Sequence, residues 1–113
     1  MANRQQEAEE GFQTNPSVKV REELLRWFTA PAAQAPDRER IPIELLADSA
    51  INESNWSFRP KIIRAIGKAA VDNPADRAAL VAVLEAMTSD RTVLERDRLV
   101  VVEVLDEVRR AVG

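Results

Sequence analysis

A chain of 113 residues with 45% hydrophobic and 31% charged side chains is sized for one domain with its own core, and that balance excludes a wholly disordered polypeptide. It contains no His, Cys or Tyr, which removes side chains widely used for acid–base chemistry near neutral pH, thiol nucleophiles, disulfides and soft-metal binding. A net charge of −3 argues against a dedicated DNA-binding domain, which normally carries a basic excess.

Residues 1 to 14, MANRQQEAEEGFQT, are polar and lack an apolar repeat, so they read as a flexible N-terminal tail with Phe12 as its only anchor. Asn15-Pro16 or Ser17 can open the first helix, with Val20, Leu24, Trp27 and Phe28 on one face. The run Ala30-Pro31-Ala32-Ala33-Gln34-Ala35-Pro36 ends it and begins a Pro/Ala-rich loop over about 30–41. Pro42 then suits the first turn of a short helix carrying Ile43, Leu46, Ala47 and Ala50 on one side.

Ser57 is the expected N-cap of a third helix, with Pro60 in its first turn and Phe58, Ile62, Ala65, Ile66 and Ala69 as its stripe; Gly67 falls near the opposite side. Asn73 is expected to cap a fourth helix, with Pro74 at its first position and Leu80, Val83, Leu84 and Met87 buried. Thr92 and Glu95 match a capping box at the head of a terminal helix reaching about residue 112. No period-two segment bounded by turn residues reads as a strand. The expected fold is all-α: a flexible tail over 1–14, then a single domain over 15–113 built as a compact bundle of about five helices or stacked helical hairpins.

Charge is uneven along the chain. Residues 57–72 hold Arg59, Lys61, Arg64 and Lys68 against Asp72 alone, whereas residues 30–56 hold Arg38 and Arg40 against five carboxylates. Lys61, Arg64 and Lys68 recur at spacings of three and four, so they share one helix face, either a docking surface or a solvated face paired with the acidic segment. Trp56 and Phe58 flank Ser57 at the entry to the same helix; core filling and partner anchoring are both open to such rings. On the terminal helix Val93, Val100, Val101, Val104, Leu105, Val108 and Val112 form a broad stripe, but Leu99 and Val102 project outside it, so burial between neighbours and self-association both fit. Asp97 falls within the apolar arc, paired with an Arg or marking a later helix start.

Carboxylates are plentiful, yet no spacing assembles a catalytic site, and no Gly-rich phosphate loop, Ser elbow or metal-ligand cluster occurs; no catalytic residue, metal or cofactor is expected. The segment Phe58-Arg59-Pro60-Lys61-Ile62-Ile63-Arg64-Ala65-Ile66-Gly67, followed by a second Ala-rich helix, resembles a HEAT-type helical repeat, in a single copy without a second at the ~40-residue period. The stretch from Asn55-Trp56 through Leu80-Val81-Ala82-Val83-Leu84 looks like bacterial effector-associated, death-fold-like adaptor domains. Both resemblances imply protein binding without catalysis.

The expected function is a small non-catalytic protein–protein interaction module, an adaptor or regulatory subunit. Trp56, Arg59, Lys61, Arg64 and Lys68 are the candidate partner-binding residues, and Leu99 and Val102 the candidates for self-association into a homo-oligomer. The alternative is a nucleic-acid-associated regulator using the same basic helix on phosphates. No stretch approaches the ~18 apolar residues of a membrane span and MANRQQEAEE lacks the apolar core of a secretion signal, so a cytoplasmic chain without a membrane partner is expected.

Overall fold

Asn3 starts the first helix. The computed structural model describes residues 3–113, and in it the Asn3 side chain accepts a hydrogen bond from the Gln6 amide at 2.8 Å, capping α1 (Arg4–Thr14). Gln5, Ala8 and Phe12 recur at +3 and +4 and are buried together. Phe12 is fully enclosed, edge-on to Phe28 at 5.5 Å and tilted against Phe58 at 6.1 Å. This corrects the reading of residues 1–14 as a flexible tail: from Arg4 onward they form a helix that contributes a central core ring, while Met1 and Ala2 lie outside the described residues. Gln5 fixes α1 further, donating to the Arg40 carbonyl at 3.1 Å and accepting from the Glu39 amide at 3.1 Å.

Ser17 caps α2 (Val18–Thr29), which buries Leu25, Phe28 and Thr29. Val20, expected on that stripe, is exposed, because the inward face runs through Arg21, Leu25 and Phe28 instead. Ala30-Pro31 ends the helix as its backbone chemistry requires, and a 3-10 turn at Ala32–Gln34 follows. Arg38 closes the C-terminus of α2 by donating to the carbonyls of Trp27, Phe28 and Ala30 at 2.8, 3.2 and 2.8 Å.

Pro42 precedes α3 (Ile43–Asn52), which buries Leu46 and Ala50. In α4 (Arg59–Asp72), Ile62, Ile63, Ile66, Gly67, Ala69 and Ala70 are all buried, so this helix is enclosed on more than one side and touches α2, α3, α5 and α6. Ser57 does not cap it. Asn55 instead organises the preceding turn, accepting from the Ser57 amide at 3.1 Å and, through its carbonyl, from the Phe58 amide at 2.9 Å. Gly67, expected on the free side, faces α6, where a Cβ would collide with Cγ1 of Val104.

Residues 73–76 form a turn before α5 (Arg77–Ser89), so Asn73 is not its cap and Pro74 is not its first residue. The buried Asn73 side chain donates to the carbonyls of Ala30 and Ala69 and accepts from the Ala32 amide, tying the end of α2 to the end of α4. Leu80, Leu84 and Met87 face inward. α6 (Glu95–Val112) buries Val101, Val104, Leu105 and Val108. Thr92 does not form the expected capping box with Glu95; its hydroxyl and amide both bond the Asp90 carboxylate. The result is an all-α bundle of six helices, with no strand among the described residues. None of these helices is long and apolar enough to cross a membrane.

Candidate docking surfaces

Lys61, Arg64 and Lys68 do form one exposed ridge on α4, but each has a carboxylate beside it. Lys61 pairs with Glu22 of α2, Arg64 with Glu103 of α6 at 3.6 Å, and Lys68 with Asp72 one turn further on at 3.4 Å. The Lys61 ammonium, through its hydrogen bond, holds the Glu22 carboxyl below its usual range. Of the acidic 30–56 segment, the intramolecular partner expected for this ridge, three carboxylates are used elsewhere. Asp37 binds Arg4 at 3.0 Å, Glu39 binds Asn3 at 3.0 Å, and Glu53 forms a buried bidentate pair with Arg21.

Arg59 does not join the ridge. Its guanidinium is withdrawn from solvent, donating to the Glu53 carbonyl at 2.7 Å and pairing with buried Asp97 of α6 at 3.4 Å. Arg59, expected among the partner-binding residues, stands as an internal brace between α4 and α6, and Asp97 takes the paired alternative. Arg59 also lies 5.7 Å from the Trp56 ring centroid, and Arg96 of α6 stacks over the same ring at 5.4 Å. Trp56 is 52% exposed between these two cations, whereas Phe58, the other ring at this entry, is core.

Beside the ridge, an open groove of about 500 Å³ lies between α2 and α4. Leu25, Thr29, Ala30 and Ala65 line it, and Arg26, Lys61, Lys68 and Glu22 supply its ionised groups. Two of the candidate partner-binding residues, Lys61 and Lys68, thus border a concave and largely apolar surface. Arg26 was not expected there. In the sequence it follows the buried Leu25 as an ordinary helix-end cation, and only the juxtaposition of α2 with α4 gives it a role.

Leu99 and Val102 stand on the opposite flank of the α4–α6 pair, 66% and 46% exposed on the outer side of α6. They are not sandwiched between neighbours in the monomer, so of the two accounts of that stripe only burial of Val101, Val104, Leu105 and Val108 is met inside the chain. Compared with known protein families, curated proteins and solved structures, the chain matches none, so the two resemblances drawn from residues 55–84 gain no support.

Proposed function

We propose that this chain is a non-catalytic protein–protein interaction module of the cytoplasm, an adaptor or regulatory subunit that docks an acidic, partly apolar segment of a partner in the α2–α4 groove. The observation that carries the reading is the groove's make-up: an apolar floor of Leu25 and Ala65 edged by three cations against one carboxylate. Apolar contact supplies the affinity of such a site, and complementary charge at the edge supplies orientation and rate of encounter. Lys61 offers an exchange: a partner carboxylate can take the place of Glu22, so docking need not desolvate a new charge without a counter-ion.

The phosphate-binding alternative is less favoured by the same geometry. The apolar floor of Leu25 and Ala65 offers nothing to a nucleic-acid backbone, whose binding rests on cations that release counterions. The test is affinity isolation from the native cell, followed by reconstitution with the purified partner. The wild-type chain retains the partner, a folded Lys61→Glu/Lys68→Glu variant loses it, and Leu99→Glu keeps the affinity for a single docking segment. Retention by the folded double variant refutes the groove, and binding that collapses steeply with salt and is competed by oligonucleotide returns the phosphate reading.

A further inference from the structure

The outer side of α6 carries charges that enter no ion pair among the described residues, although Arg96 stacks on Trp56 and Arg110 donates to the Asp106 carbonyl. Glu95, Leu99, Val102, Asp106 and Arg110 follow one another at steps of four, three, four and four, so they lie along one line of the helix, with Arg96 on its shoulder. On α4 every cation is ion-paired, yet among the described residues none of Glu95, Arg96, Asp106 and Arg110 enters a salt bridge. Between these charges sit Leu99, the most exposed large hydrophobic side chain described, and Val102. Trp56 extends the apolar surface on the Arg96 side.

The order of the charges is self-complementary in one orientation only. A second α6 laid antiparallel, with the two-fold axis beside Val102, sets Glu95 of one copy against Arg110 of the other, and places Asp106 beside the other copy's Leu99 with Arg96 within reach of its carboxylate. Each pair is offset by at most two residues' rise, roughly 3 Å, which these side chains can span. Every contact then occurs twice, as an isologous interface requires, and Leu99 and Val102 are covered at the centre. A parallel copy sets each charge against its own kind.

From this complementarity we infer that α6 is a homodimerisation surface and that its occupant is a second, antiparallel copy of this chain. One helix pair covers an area at the low end of specific interfaces, so the dimer is weak and forms with rising concentration. Sedimentation velocity of the full chain over about two decades, up to roughly 0.5 mM, tests this. The expected result is a reversible monomer–dimer equilibrium, abolished by Leu99→Glu with far-UV circular dichroism unchanged. Arg96→Glu weakens it about tenfold, because two symmetry-related pairs turn repulsive, and Arg96→Glu/Asp106→Arg restores it. Because the chain has no cysteine, Val102→Cys gives a single unambiguous disulfide dimer under oxidation. A wild-type chain monomeric at the top concentration overturns the inference, including where α6 binds some other protein, and so does a double charge swap no tighter than the single one.

Discussion

Gly67→Ala is the sharpest probe of how this bundle is assembled. Alanine is intrinsically better than glycine inside a helix by up to ~1 kcal/mol, so an exposed position would gain stability from the change. At Gly67, however, the added Cβ would overlap Cγ1 of Val104 far inside contact distance and lie 3.5 Å from Cγ2 of Val108. Val104 is buried and β-branched, which leaves its χ1 little freedom within α6. The α4–α6 pair must separate, at about 1–3 kcal/mol for overpacking, leaving a net loss of about 0–2 kcal/mol after the propensity gain. Equilibrium urea unfolding of Gly67→Ala, Val104→Ala and the double variant measures it. Val104→Ala alone loses about 1–3 kcal/mol through its cavity, and the double variant costs less than the two singles together by about 1–2 kcal/mol, since the new methyl fills that space. A stabilised Gly67→Ala, or a cycle that is simply additive, refutes the close crossing of α4 and α6.

Phe12→Ala, which empties the meeting point of three rings, should cost about 3–5 kcal/mol by thermal or urea unfolding, and a near-neutral result would detach α1 from the core. Asp97→Ala strands the Arg59 guanidinium and should cost about 3–5 kcal/mol, whereas Asp106→Ala on the exposed side of the same helix should cost under about 0.5 kcal/mol; equal effects would deny the brace. The Glu53 carboxyl is held below its usual range chiefly by hydrogen bonds from Arg21, so its contribution is complete above the unfolded glutamate pKa of about 4.3 and is lost as pH falls through the lower folded value. Urea melts of wild type and Glu53→Gln should therefore differ most near neutrality and converge in acid; a gap that widens in acid reverses the assignment.

All five expected helices were legible from apolar spacing and from Pro positions, because each buries at least one continuous face. α4 goes beyond one face: Ile63, Gly67 and Ala70 are buried outside the stripe of Ile62, Ile66 and Ala69, because it is packed from several directions and its small residues admit α6. α1 was hidden by chemistry. Its inward face is Gln5, Ala8 and Phe12, and a buried glutamine bonded to the 39–40 backbone does not register as apolar. The legible signal was Asn3 followed three residues later by Gln6, a capping pattern. Asn73 misled in the opposite sense: a residue suited to capping was recruited by distant carbonyls that no local rule can supply.

The candidate surfaces show the same division between local and tertiary information. Spacing alone places Lys61, Arg64 and Lys68 on one ridge and leaves Leu99 and Val102 outside the buried arc, since both follow from helix period. Charge availability does not follow from it. The ridge that draws attention in the sequence is neutralised by Glu22, Asp72 and Glu103, two of them from other helices. The less conspicuous alternation on α6 keeps its charges out of ion pairs among the described residues. A helix face with exposed apolar centre and ordered charges of both signs specifies orientation as well as contact, which a single-sign patch cannot do. Because α4 stands between the groove on its α2 side and the packing with α6 on the other, an antiparallel α6 dimer leaves both grooves open. Two grooves in one particle raise the apparent affinity for a multivalent partner without any new contact, so Leu99→Glu should weaken capture of a multivalent partner while leaving the affinity for a single docking segment unchanged.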